Sequence, residues 1–137
     1  MTNNQILVIA AHPDDEVLGC GGFIARKTIE GCGVHILILG EGATSRAETR
    51  EEALANENIG EKIQDLKKSA YRAAEVLGAT SIQFAEFPDN RFDSRPLLDV
   101  IKQVEKIKNE VNPGWLITHH PYDLNVDHQI TFKAVVT

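Results

Sequence analysis

The sequence predicts an α/β fold, a Rossmann-like three-layer α/β/α sandwich built around a mostly parallel sheet. Three observations predict it. Short apolar runs alternate with longer segments of helical spacing along the 137-residue chain. The apolar runs are nearly continuous rather than alternating, as in strands buried on both faces. Glycines stand where helices should end and hand over to the next strand. Right-handed crossovers leave few topologies for such a pattern.

"QILVIA" (Gln5–Ala10) reads as the first strand, and a helix follows from Asp15 to about Glu30, closed by "GCG". "VHILILG" (Val34–Gly40) is the second strand, rich in β-branched residues. After the polar loop "EGATSRAE", a helical pattern runs from about Glu48 to Leu77, with Ile63, Leu66, Ala70, Ala73 and Leu77 on one face and a break expected at Gly60. Gly78 ends it, and "TSIQFAEF" (Thr80–Phe87) is the third strand. "PDNRFDSR" leads to a helix from about Pro96 to Val111, which "NPG" stops. "WLITHH" (Trp115–His120) is the fourth strand, expected beside the first, and a last helix starts near Asp127. That helix ends without a glycine, a cap or a polar tail, and four strands make a narrow sheet. Residues 1–137 are therefore expected to form one domain that is incomplete at its C-terminus, within a longer protein.

Composition narrows the function. A formal charge of −6 and no basic cluster exclude the electrostatic footprint of a nucleic-acid binder. No apolar run reaches membrane-span length, and the N-terminus lacks the basic region of a signal peptide. The expectation is a cytoplasmic protein with two reduced, structural cysteines, Cys20 and Cys32. A homo-oligomer is compatible with these features.

In open α/β sheets, ligands bind beyond the carboxyl ends of the strands. His12, Asp14, Asp15 and Glu16 follow the first strand; Glu41, Ser45 and Arg46 the second; Asp89, Asn90, Arg91 and Asp93 the third. His119, His120, Asp123, Asn125, Asp127 and His128 follow the fourth. The opposite rim offers nothing comparable, so the chemistry belongs on this one.

In "HPDDE", proline keeps the preceding His12 extended at the strand tip. His12 and Asp15 can converge across the turn while Asp14 points elsewhere, free for proton chemistry. Helix capping accounts for acids here but not for the histidine. The second cluster, "HHPYDLNVDH", supplies three more histidines, whereas the isolated His35 reads as a packing residue. One histidine from the cluster plus His12 and Asp15 gives three protein ligands and an open position, the layout of a catalytic zinc site. Iron(II), cobalt or manganese suit the same donors.

With "AHPDDEVLGCGG", "HHPYDLNVDH" and "PDNRFD" in this order, the chain closely resembles the LmbE-like, or PIG-L, family of zinc-dependent N-acetyl-sugar deacetylases. The resemblance implies His12, Asp15 and His128 as metal ligands and Asp14 as general base. Asn125 stands where many members carry a histidine that stabilises the oxyanion, and its amide N–H can donate in that place. Glu16 is expected to support the turn, and Asp127 and His120 to flank the ligands from outside. Arg46, Asp89, Asn90 and Arg91 are candidates to hold sugar hydroxyls or a charged aglycone. The implied reaction is metal-dependent hydrolysis of an N-acetyl amide on an amino sugar such as an N-acetylglucosamine conjugate.

Two other readings compete. A nucleotide-binding Rossmann domain would put glycines and free N–H groups at the first helix mouth, where three carboxylates would repel a pyrophosphate. A non-catalytic metal-binding protein on the same fold is disfavoured by the intact Asp14.

Overall fold

The computed structural model describes residues 3–137. Its elements run β1 (Gln5–Ala10), α1 (Asp15–Ile29), β2 (Gly33–Gly40), α2 (Arg50–Ala55), α3 (Ile59–Leu77), β3 (Ser81–Phe87), a 3₁₀ turn (Phe92–Ser94), α4 (Leu97–Val111), β4 (Trp115–Ile117) and α5 (Val126–Val136). The four strands form one parallel sheet in the order β3-β2-β1-β4. The expected α/β sandwich is therefore present, with β4 beside β1.

Alternation along the central strands divides the core in two. Leu7, Ile9, Leu37 and Leu39 face α4, α5 and the 3₁₀ turn, packing with Val100, Val104, Ile107, Phe92 and Ala134. Ile6, Val8, Val34, Ile36 and Ile38 point the other way, against Ile24 of α1 and Ala70 and Ala74 of α3. Both faces are covered, which explains why these strands read as unbroken apolar runs. Among the described residues, no helix is long and apolar enough to cross a membrane.

Two boundaries differ from expectation. The long helical stretch breaks at 56–58, not at Gly60, which lies in the first turn of α3. Asn56 leaves the helical region with ψ 118, and its Oδ1 accepts the Asn58 N–H at 2.9 Å. A local side-chain turn of this kind competes directly with the helix. β4 stops at Ile117 rather than His120. Beyond it, side chains replace the ladder: Thr118 Oγ1 donates to Ile9 O at 2.9 Å, and His119 Nε2 accepts the Ala11 N–H at 2.8 Å. Freed from the pleat, the two histidines diverge, His119 half-buried at the sheet end and His120 exposed.

His35 bridges the other end of the sheet, bonded to Ser81 Oγ at 2.8 Å and Gln5 Oε1 at 2.9 Å. Packing accounts for it, as its isolation in the sequence predicts. Cys20 and Cys32 are unpaired and half-buried.

Candidate metal centre

The turn after β1 is closed from within. Asp15 Oδ2 accepts the His12 N–H at 2.9 Å, and Asp15 N–H donates back to His12 O at 3.2 Å. Asp14, between them, sits at φ 125 and makes no side-chain cap hydrogen bond. A non-glycine residue in that region is strained, and such strain persists where the surroundings impose it. Glu16 imposes part of it: almost fully buried, it accepts the Asp14 N–H at 3.0 Å through Oε2. Capping therefore does not explain Asp14, whose carboxylate is exposed at the rim.

β1 and α5 bring three donor atoms together. His12 Nδ1 lies 3.3 Å from Asp15 Oδ2, His128 Nε2 lies 3.1 Å from the same oxygen, and the two nitrogens are 3.3 Å apart. Bonds of the length zinc makes to nitrogen and oxygen, set at tetrahedral angles, require ligand atoms about 3.3 Å apart. The triangle is of a size to hold a small divalent cation, and its members are the three residues that the resemblance names as ligands.

Each imidazole is held by a carboxylate on its other nitrogen. His12 Nε2 meets Asp127 Oδ2 at 2.8 Å and Asp89 Oδ1 at 3.3 Å. His128 Nδ1 meets Asp123 Oδ2 at 2.9 Å. Such pairs fix the tautomer that turns the remaining nitrogen toward a metal. Asp127 is fully buried, and its second oxygen accepts the Phe92 N–H at 3.0 Å.

The electrostatics follow from this crowding. Burial alone would lower the His12 pKa, but the bond to Asp127 and the carboxylates of Asp15 and Asp89 raise it to about 10. Burial works against the Asp15 charge, yet the His12 bonds and the nearby His128 hold its pKa below the usual value. Asp14 is pushed up, first by desolvation and then by repulsion from Asp15. Glu16 is also raised, chiefly by burial. His119 falls to about 4 through burial and the neighbouring His128, against the pull of Asp15. Its Nε2 accepts the Ala11 N–H, so the neutral ring carries its proton on Nδ1.

The family model described as GlcNAc-PI de-N-acetylase, PIG-L, matches residues 7–137. The chain belongs to the PIG-L family. It is 30% identical over 133 residues to a probable N-acetyl-alpha-D-glucosaminyl L-malate deacetylase 2 of Bacillus cereus, covering 96% of this chain and 59% of that protein. It is 29% identical over 128 residues to the diacetylchitobiose deacetylase of Thermococcus kodakarensis, covering 91% of this chain and 45% of that one. Among solved structures, the 4-carboxy-2-hydroxymuconate hydratase of Pseudomonas putida KT2440 superposes with a TM-score of 0.77 at 28% identity, over 96% of this chain and 54% of that one. This PIG-L chain thus spans roughly half the length of these relatives.

The remaining expected residues of the PIG-L chain fall into different places. Asp89 is buried behind His12 and accepts the Ser45 N–H at 3.3 Å, so it faces the ligand rather than open solvent. Asn125 is the N-cap of α5: its Oδ1 accepts the N–H groups of Asp127 and His128, and its Nδ2 donates to Asn90 Oδ1 at 2.8 Å. The second amide hydrogen of Asn125 has no partner among the described residues. With Asn125 as the cap, the Asp127 carboxylate is left to His12 and Phe92. Arg91 donates to the carbonyls of Ala47 and Glu48 and so clamps the loop before α2. Arg46 is exposed on the wall of a cavity. His120, expected beside the ligands, points away: its Nδ1 accepts the Tyr122 N–H at 3.1 Å, and its ring packs on Tyr122. His119 takes the inner place instead, stacked on His128 with ring centroids 3.9 Å apart.

Asp123 and His119 carry little signal in the sequence itself. The signal for Asp123 is its place five residues before His128, a spacing that only the turn into α5 makes meaningful. Glu41 is a further buried hub, accepting from Ala43 N–H, Thr44 N–H and Oγ1, Asp89 N–H and Arg50. Burial opposes its charge, but these bonds, led by Thr44, outweigh it and lower its pKa.

Proposed function

We propose that the chain carries the centre of a metal-dependent hydrolase that removes the acetyl group from an N-acetylated amino sugar or its conjugate, of the N-acetylglucosamine type. The observation that carries this reading is the triangle of His12, Asp15 and His128 with the unbonded carboxylate of Asp14 beside it. A zinc or iron(II) ion held by His12 Nδ1, Asp15 Oδ2 and His128 Nε2 would supply Lewis acidity, polarising an acyl carbonyl and lowering the pKa of water to about 7.

The chain's own groups do the rest. Asp14 accepts the proton of the attacking water, for which its raised pKa and freedom from hydrogen bonds suit it. As the C–O bond forms and the C–N bond breaks, Asp14 returns that proton to the leaving amine, giving acetate and a free amino sugar. Asn125 would donate its remaining amide N–H to the developing oxyanion, while Asp127 and Asp123 keep the two imidazoles aimed.

The test measures metal content and acetate release from a panel of N-acetylglucosamine conjugates, with wild type and Asp14→Ala. Acetate release by metal-loaded wild type and its loss in the variant support the reading. No release from any conjugate by the full-length protein would remove it. The similarity to a hydratase favours one alternative, addition of water to a carbon–carbon double bond of a carboxylated substrate at the same centre. Loss of ultraviolet absorbance from such a substrate, without acetate release, distinguishes it.

A further inference from the structure

His119 touches all three segments that carry the candidate ligands. Its Nε2 accepts the N–H of Ala11, the residue before His12, at 2.8 Å. The same nitrogen lies 3.7 Å from Asp15 Oδ2. Its ring stacks on His128, with centroids 3.9 Å apart and planes 23° apart. All of this comes from one residue just beyond β4, whose pairing with β1 ends at Val8↔Ile117.

Each contact constrains what the carboxylates leave free. Ala11 is fully buried, and its carbonyl accepts the Gly40 N–H at 2.7 Å. The bond to His119 ties its N–H to the chain after β4, so the start of the His12 turn is pinned from both neighbouring strands. A buried N–H is costly to leave without an acceptor, which in turn holds the imidazole in place. At His128, the bond between Nδ1 and Asp123 Oδ2 at 2.9 Å fixes one edge of the ring. A single hydrogen bond still lets a ring swing about the bond axis, and a surface against its face stops that swing. His119 supplies the surface.

His119, Asp123 and His128 also lie close enough together to form a donor group of their own. Stacked rings, however, direct their nitrogens along nearly parallel planes, and His119 Nε2 already accepts the Ala11 N–H. Two such imidazoles do not converge on one ion. We infer that His119 is a positioning residue of the metal centre: by accepting the Ala11 N–H and stacking on His128, it sets the spacing and tilt of the His12 and His128 ligand nitrogens. A histidine suits the place because one ring offers an acceptor at its edge and an aromatic face. The inference rests on the metal-dependent reading of the centre and adds what aligns it.

The test uses the full-length protein loaded with cobalt(II), whose visible absorption reports ligand geometry, with affinity measured by competition against a chromogenic chelator. His119→Phe keeps the aromatic face and removes the acceptor. His119→Gln keeps an acceptor at similar reach and removes the face. Each should weaken cobalt binding roughly tenfold, and His119→Ala roughly a hundredfold. His119→Gln and His119→Ala should also shift the absorption of the bound ion as His128 tilts. Thr118→Val, which removes the neighbouring bond to Ile9 O, controls for loosening of the sheet end and should keep the wild-type affinity and spectrum. The spectrum per bound cobalt is insensitive to the amount of folded protein. Wild-type affinity in either single-contact variant, or an equal loss in Thr118→Val, would overturn the inference. So would a second bound cobalt that is lost with His119, since the residue would then be a ligand. Failure of the metal-dependent reading looks different: wild type itself would bind no cobalt, and both would fall together.

Discussion

His12 Nε2 and Asp127 Oδ2 are 2.8 Å apart, and the aspartate is fully buried. α5 therefore supplies both a candidate metal ligand, His128, and, one residue earlier, the carboxylate that meets the other histidine. Asp127→Asn keeps the shape and removes the charge. It is expected to weaken metal binding by about 10–100-fold, measured by competition with a chromogenic chelator. Asp89→Asn, at 3.3 Å from the same nitrogen, should cost less. An Asp127→Asn affinity equal to that of wild type would refute the orienting role.

Asp14 is outside the ligand triangle, so proton transfer and metal content should separate. Asp14→Asn is expected to lower kcat by about 10²–10⁴-fold while zinc stoichiometry stays at the wild-type level. Turnover and elemental analysis on one preparation check this. A parallel loss of metal would instead make Asp14 a ligand.

Glu41 links the loop after β2 to Asp89, and its pKa is held below the ordinary 4.5. A depressed carboxylate contributes stability that is present above the unfolded pKa and is lost as pH falls through the lower folded value. Glu41→Gln should therefore be less stable at pH 7 by about 1.5–3 kcal/mol, with the gap closing in acid below the ordinary value. Urea denaturation of both proteins across that range measures it, and a gap independent of pH would contradict the assignment.

Gly40 ends β2 where its N–H donates to Ala11 O at 2.7 Å. A Cβ there would lie 2.8 Å from that oxygen and 3.1 Å from the Phe92 ring, both parts of the scaffold under the centre. Gly40→Ala should destabilise the fold by about 1–3 kcal/mol and weaken metal binding as well. Thermal unfolding and the chelator assay test both, and wild-type values in the two would show that the turn accommodates the methyl group.

Apolar periodicity in the sequence sufficed to determine the strands, the covering helices and the parallel sheet. Burial on one or both faces writes such patterns locally, and His12, Asp15 and His128 stand out as candidates because each stands at a strand or helix end in a distinctive motif. Tertiary structure decided what depends on direction rather than position. After β4, side-chain bonds replace the ladder, so His119 turns inward and His120 outward. At α5, the cap takes the oxygen of Asn125 and leaves Asp127 to His12, while Asp123 reaches His128 Nδ1. Asp89, a sugar-binding candidate in the sequence, is buried within 3.3 Å of His12 Nε2. Hydrogen bonds between residues more than a hundred positions apart, as between His12 and Asp127, leave no periodic trace in a single chain and exist only once the sheet has brought β1 and α5 together.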